Sequence, residues 1–284
     1  MFRIGAHMGV GVIGQSLEAV NETRQNVITA ELLIAPILLA AVFLGALWIG
    51  RRVAAPIEAS RQRQLDFTAD ASHELRTPLA VIEAQTSLAL AGDRDVAWSH
   101  AAFGRVDDEA KRMRRMLEDL LWLARFDASK RPLDVEPVDL AVMADQAVDR
   151  FGPVAETRGL TIDVHVPAGG AVIAAPPEWL DRLLGVLLDN ACKYAPDGGR
   201  VDVTVAVDGS RVALTVDDSG PGIPEAERTR IFDRFHRATD EAGGAGLGLA
   251  IADAIVRATG GRWRVASSPS GGARMGVSWS RALA

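Results

Sequence analysis

The sequence predicts three parts in series: a transmembrane helix, an all-α helical hairpin and an α/β sandwich. Three observations predict them. Leu32 to Gly50 runs nineteen residues without a charge. From about residue 67 to 127, apolar side chains recur at alternating steps of three and four, the spacing of helices packed along a seam. From Val138 onward, helical periods interleave with short β-rich runs, the pattern of helices laid on one face of a mostly antiparallel sheet. At 284 residues, 48% hydrophobic and 24% charged, the chain can bury the cores of about two domains. A net charge of −6 with no broad basic face argues against a nucleic-acid partner. The arginines around Arg105–Arg115 are mixed with Asp107, Asp108 and Glu109 and read as a solvated helix face. Cys192 is the only cysteine, so no internal disulfide can form and a reducing cytosol suits the chain.

In chain order, residues 1–30 are Gly-rich at the start and are predicted irregular, a short segment outside the cytoplasm. Residues 31–50 meet the length of about 20 needed to span a bilayer. Trp48 suits the interface, and Arg51-Arg52 place the C-terminal side of the span in the cytoplasm. Residues 51–66 read as a juxtamembrane helix interrupted near Pro56.

The hairpin is assigned to 67–127. Its first helix carries Leu65, Thr68, Ser72, Leu75, Leu79, Ile82, Thr86 and Ala89 on one seam, which leaves His73 one position off it and reachable from solvent. Glu74 follows the imidazole directly, Thr77 lies one turn above it, and Pro78 is predicted to bend the helix there. Gly92-Asp93 ends this helix, and a second starts near Val96 with the seam Val106, Ala110, Met113, Leu117, Leu120 and Ala124, broadened by Leu121 and Leu123. Two such helices cannot bury both stripes alone, so a homodimer forming a four-helix bundle is predicted. Residues 128–137, with Arg131-Pro132 and Glu136-Pro137, read as a linker.

The sandwich, 138–284, holds three motifs. Leu187 to Tyr194 puts Asn190, Lys193 and Tyr194 on the polar side of a long helix near its C-terminal end. Val216-Asp217-Asp218-Ser219-Gly220-Pro221-Gly222 carries an acidic residue off a strand into a Gly-rich turn, where a carboxylate can accept the amine hydrogens of adenine. Gly244-Ala245-Gly246-Leu247-Gly248 opens a helix whose free N–H groups suit phosphate oxygens.

Ser72-His73-Glu74-Leu75-Arg76-Thr77-Pro78-Leu79 resembles the phosphoacceptor box of the membrane sensor histidine kinases of bacterial two-component systems. The three sandwich motifs, with Ile231-Phe232-Asp233-Arg234-Phe235 between them, resemble the N, G1, F and G2 boxes of the ATP-binding domain those kinases share with gyrase, MutL and the large heat-shock chaperones, the GHKL ATPases. The resemblance covers about residues 51–284. It implies that His73 is phosphorylated from ATP, with Glu74 as acid/base beside it and Thr77 orienting water when the group is removed. It implies that Asn190 ligands Mg²⁺, that Lys193 meets phosphate, and that Tyr194 and Asp218 meet the base. Gly220, Gly222, Arg237, Gly244, Gly246, Leu247 and Gly248 complete the nucleotide site, with Thr239–Gly243 as a lid. A response regulator is the implied partner, a homodimer the implied assembly, and the bacterial inner membrane the implied location, with the catalytic part cytoplasmic. Members of that family usually carry an earlier span and a sensing domain, so residues 1–30 read as a remnant of one and Met1 as a possible truncation point. Three departures stand out: Val186 where an Asn is common, Pro176-Pro177 where Asp-Pro is common, and Ala273 after Gly271-Gly272 where Thr is usual. Two other classes are weighed. A nucleotide-binding dimerisation module would transfer no phosphate, and a gyrase-like clamp would need a Glu where Val186 stands.

Overall fold

The computed structural model describes residues 17–92, 95–128, 134–237 and 245–282. The apolar run around Ile4–Ile13, the lid Thr239–Gly243, Gly244 and Arg131-Pro132 therefore lie outside the described residues. The chain separates into two units, Met1–Asp66 and Phe67–Ala284.

The first unit holds the start of α1 (Leu17–Leu90). The helix begins at Leu17 and not near residue 31, which corrects the irregular reading of 1–30 over its second half. The reason is local: Leu17 to Ala30 contains no Gly or Pro and is rich in Leu, Glu, Ala, Gln and Arg, all good helix formers. The helix also runs unbroken through Pro36 and Pro56, so the interruption expected near Pro56 is absent. Asn21–Arg52 is long and apolar enough to cross a membrane by length and composition, and none of its window is buried within the chain. Arg52 lies 4.8 Å over the ring of Trp48, a cation–π contact that fixes the polar end of the stretch.

In the second unit, α1 continues through Pro78 and pairs with α2 (Val96–Ala128). Asp95 caps α2 by accepting the Trp98 N–H at 2.7 Å. Arg105 bridges the two helices through Gln85, 2.9 and 3.1 Å from its Oε1. The buried stripe differs from the expected seam. Ala102, Met116, Leu120 and Leu123 are buried on α2, whereas Leu117 and Leu121 are 46% and 56% exposed. On α1, Phe67, Ala71 and Leu75 pack against the core, and Leu79 does not. The helices thus carry two apolar faces, and only one is covered within a single chain.

The sandwich begins with β1 (Glu136–Asp139), which pairs antiparallel with β3 (Val172–Ala175). This strand corrects the linker reading of 136–137; Pro137 fits because a two-stranded sheet is all edge. Asp139 caps α3 (Leu140–Arg158), its Oδ1 accepting from Ala141 N at 3.0 Å and Ala171 N at 2.9 Å. Then follow β2 (Thr161–His165), α4 (Pro177–Tyr194), β4 (Arg200–Asp208), β5 (Arg211–Asp218), α5 (Gly248–Ala258), β6 (Arg262–Ser267) and β7 (Ala273–Ser280). The five-stranded sheet runs β2-β4-β5-β7-β6, with β2 and β4 parallel and the other pairs antiparallel. Strand alternation sends Val201, Val203 and Val205, Val212, Leu214 and Val216, and Met275, Val277 and Trp279 into the core. There they meet Leu180, Leu183, Leu184, Leu187 and Leu188 of α4. Pro177 sits at the first turn of α4, where its missing N–H costs nothing, but Pro176 at the N-cap makes no side-chain cap bond, which an Asp there could supply.

Candidate active site

An open cavity lies between the last turns of α4, the end of β5, the start of α5 and the segment 221–237. Asn190, Tyr194, Asp218, Gly222 and Arg237 line it, together with apolar Leu187, Ile223, Leu249 and Met275. Asp218 is 6% exposed. Its Oδ1 accepts from Gly220 N at 2.8 Å and Ala273 N at 3.1 Å, which leaves Oδ2 as the oxygen able to accept a ligand amine. Burial pushes the Asp218 carboxyl above the ordinary 3.8, the two backbone N–H groups work against that rise, and the Asp217 charge adds to it. Neighbouring Asp217 is held by Arg274 through two bonds of 2.6 and 2.7 Å. The turn Gly271-Gly272 packs so tightly on Asp218 that a Cβ at Gly272 would overlap its carbonyl and carboxylate oxygens. Ala273 thus serves the site through its backbone, which the usual Thr is not needed to supply.

Of the other expected site residues, Lys193, Gly220, Gly246, Leu247 and Gly248 are not on the wall of the cavity. Asn190 lines it with a buried Nδ2 that has no hydrogen-bond partner among the described residues. The Lys193 ammonium lies 5.0 Å over the Tyr194 ring; burial lowers its pKa, Asp189 opposes that, and Arg237, Arg112 and Arg115 lower it further. Burial also raises the Tyr194 phenol. Gly246, at φ 69, accepts the Phe235 N–H at 3.0 Å, and a Cβ there would meet Phe235 C at 2.8 Å. Phe235 is itself held at φ 61, the one positive-φ residue other than glycine among the described residues. Val186 stands 3.3 Å from where a Cβ of Gly248 would lie, so it packs on the start of α5 in place of a polar group.

His73 is exposed on α1, with Glu74 half-buried beside it and Thr77 exposed one turn on. Ser72 Oγ folds back on the Thr68 carbonyl at 2.7 Å. The cavity lining does not include these three residues. Phe67, one and a half turns before His73, does touch the sandwich: its ring lies 6.5 Å from that of Phe235 and 5.1 Å from the Arg234 guanidinium.

The residues present fit a nucleotide. An apolar slot with one buried carboxylate suits adenine, and the unpartnered amide of Asn190 suits a phosphate oxygen or, turned over, a hard cation. No cluster of three His, Cys, Asp or Glu that could hold a metal ion occurs among the described residues.

Comparison with known proteins agrees with this geometry. Residues 175–282 match the family model of the histidine kinase-, DNA gyrase B- and HSP90-like ATPases, and residues 63–129 match the His kinase A phosphoacceptor domain. The chain is 40% identical over 217 residues to the probable sensor histidine kinase TcrY of Mycobacterium tuberculosis, covering 75% of this chain and 45% of that one. It is 36% identical to the histidine-protein kinase/phosphatase MprB of Mycolicibacterium smegmatis, over 77% of this chain and 45% of that one. Among solved structures, full-length ShkA in complex with AMPPNP aligns with a TM-score of 0.56 at 30% identity, over 76% of this chain and 46% of that one. The histidine kinase AdeS of Acinetobacter baumannii aligns at 0.59 and 21% identity, over 74% of this chain and 98% of that one, and so shares the fold. The fold and pocket define a GHKL-type ATP-binding domain joined to a phosphoacceptor hairpin. The chain belongs to the two-component sensor histidine kinases, and it spans about half the length of the curated relatives it matches.

Sequence reasoning did not find Ile223, His236, Leu249, Ala273 or Met275 on the cavity wall. His236 Nε2 lies 2.6 Å from Glu227 Oε2; its place next to the F box was the available signal. The apolar members carry no signal beyond alternation.

Proposed function

We propose that this protein is an ATP-dependent protein-histidine kinase that phosphorylates His73 and passes the group to an aspartate of a response regulator. One observation carries this reading: a buried carboxylate, Asp218, locked by two backbone N–H groups at the end of an apolar slot, in the same folded unit as a solvent-exposed histidine. Asp218 Oδ2 selects the amine edge of adenine, and Tyr194 covers the base. Lys193, Arg237 and the glycine turn at Gly246 and Gly248 draw the phosphates to the other end. The carboxylate of Glu74 accepts the N–H of one ring nitrogen of His73, which fixes the tautomer whose other nitrogen carries the lone pair, and stabilises the charge that develops on the ring. That nitrogen attacks the γ-phosphorus, the bond from phosphorus to the β-bridging oxygen breaks, and ADP leaves. Mg²⁺, when bound at Asn190, supplies neutralising charge on the phosphates. Thr77 positions a water that attacks the phosphorus of the regulator's phosphoaspartate, so that the bond to the carboxylate breaks and inorganic phosphate leaves. Val186 favours this phosphatase side as a second activity, because it replaces a polar group beside the phosphate turn.

The exposed faces around Leu79, Phe103, Leu117 and Leu121 fit a second copy of the hairpin, so the working unit is a homodimer. The Asn21–Arg52 helix fits a bilayer, with Arg51-Arg52 and the catalytic part on the cytoplasmic side. On this reading residues 31–50 span, 67–127 carry the phosphoacceptor hairpin and 138–284 bind ATP. The test is incubation of the full chain, in detergent micelles, with γ-labelled ATP and Mg²⁺. Acid-labile label on the wild type and none on His73→Gln supports the kinase. A silent wild type that still binds ATP supports a nucleotide-binding dimerisation module.

A further inference from the structure

His236 stands on the cavity wall beside Arg237, with its side chain 16% exposed. Its Nε2 lies 2.6 Å from Glu227 Oε2, and the other Glu227 oxygen meets Arg230 at 3.3 Å. An ionised carboxylate only accepts, so Nε2 carries a hydrogen and donates it. In a neutral ring that leaves Nδ1 as a bare acceptor. Nδ1 makes no hydrogen bond among the described residues and is not one of their buried unpartnered atoms, so it is open to solvent on the wall that His236 forms.

The backbone puts this ring at the phosphate end. A Cβ at Gly246 would meet Phe235 C at 2.8 Å and His236 O at 2.9 Å, so residues 235–236 rest on the glycine turn that the nucleotide reading gives to phosphate. A phosphate oxygen is an acceptor and a bare imidazole nitrogen is another, so the two repel. A second proton on the ring removes the conflict: Nε2–H still donates to Glu227, and Nδ1–H donates to phosphate. The charges around the ring set when that proton arrives. Glu227 balances an imidazolium, while Arg230 on Glu227 and Arg237 next in the chain oppose it until an anion enters. Asp233, whose carbonyl accepts the His236 N–H at 3.2 Å, and Arg234 complete the charged groups of this segment. From the other elements, α4 and β5 bring Tyr194 and Asp218 to the cavity, and α5 and β7 bring only Leu249, Ala273 and Met275.

We propose that ATP binding takes up a proton: His236, held by Glu227, becomes an imidazolium as the phosphates arrive and donates from Nδ1 to a phosphate oxygen. This rests on the nucleotide reading of the cavity and adds to it a phosphate donor and a pH dependence. The proton passes from water to Nδ1, no bond of the nucleotide breaks, and release of the nucleotide returns the proton to water. Because the bound state holds the extra proton, ATP binds more tightly as pH falls toward the range where imidazoles titrate. Adenosine has no phosphate and binds without the proton.

The test is titration calorimetry on the full chain in detergent micelles at pH 7, with Mg²⁺-ATP and with adenosine. Two buffers of different ionisation heat count the protons taken up. With ATP, the wild type is expected to take up about half a proton more than His236→Gln; with adenosine the two are equal. His236→Gln weakens ATP about threefold and leaves adenosine within about twofold. Glu227→Gln keeps an oxygen for Nε2–H without the charge, and lowers the uptake toward that of His236→Gln. Adenosine is the control for Asp218 and Tyr194, which meet the base of either ligand. The proposal is overturned if wild type and His236→Gln take up the same protons with ATP. It is also overturned if adenosine weakens as much as ATP, the mark of a ribose hydroxyl donating to Nδ1. If His236→Gln does not fold, equal uptake by Glu227→Gln and wild type overturns it. A wild type that binds no ATP overturns the nucleotide reading itself, and this proposal with it.

Discussion

The nucleotide cavity and the phosphoacceptor helix solve opposite problems. Asp218 is buried and fixed by backbone donors from two different turns, so its chemistry exists only when the sandwich is folded. His73 is exposed on α1, so its chemistry exists on any helix that shows it to solvent. On the proposed reading, the binding group needs desolvation and a fixed place, and the nucleophile, which would meet a nucleotide and a regulator in turn, needs access. The two regions should therefore respond differently to substitution.

The largest expected effect falls on the exposed side. His73→Gln abolishes phosphorylation, while ATP affinity and the thermal midpoint stay at wild-type values, as shown by calorimetry. Asp218→Asn acts instead on binding, lowering ATP affinity roughly 10- to 100-fold, the range of a hydrogen bond to a charged group, and phosphorylation falls with it. Its effect on the unliganded protein has a definite sign. A carboxyl whose pKa is raised on folding is ionised at neutral pH at a cost to stability, and that cost fades as pH falls toward the raised value, above 3.8. Asp218→Asn removes the charge and keeps an oxygen for Gly220 and Ala273, so its unliganded midpoint at pH 7 does not fall. A drop of several degrees would show that Asp218 holds the fold and not the ligand.

Next comes a pair of leucines. Leu184, fully buried on α4, loses about 2–5 kcal/mol on truncation to Ala, read by urea unfolding. Leu121→Ala, at a position 56% exposed, leaves the sandwich's unfolding unchanged and lowers the fraction of dimer in sedimentation. The smallest effect is chemical. Burial pushes the Cys192 thiol up to about 11, so at pH 8 little thiolate is present and thiol reagents modify it only after denaturant is added. Modification of the native protein at the rate of a free thiol would contradict the burial.

Local signals made much of this legible. The interleaving of helical periods with β-rich runs from Val138 onward announced the sandwich, and its central strands β4 and β5 are such runs. The motif residues Asn190, Tyr194, Asp218 and Gly222 come together on one cavity from three separate elements. What was missed depends on tertiary neighbours. β1 is four residues long and exists because β3 pairs with it. Met116 was passed over for Leu117 because α2 has two apolar faces, and a period alone does not say which one a single chain covers. Ala273 contributes only its backbone N–H, which no side-chain pattern announces. Helix α1 ran past Pro56 because one lost hydrogen bond, about 3 kcal/mol, does not outweigh the continuous helix on either side.

The central claim is that phosphate leaves a nucleotide held by Asp218 and arrives on the imidazole of residue 73. The most direct measurement is peptide mapping of the full chain after brief exposure to Mg²⁺ and ATP, with digestion kept alkaline to preserve phosphoramidates. The account predicts one added phosphate on the peptide that spans Ser72 to Arg76, absent from Asp218→Asn. Phosphate on a different peptide, or on that peptide at the wild-type rate in Asp218→Asn, would contradict it.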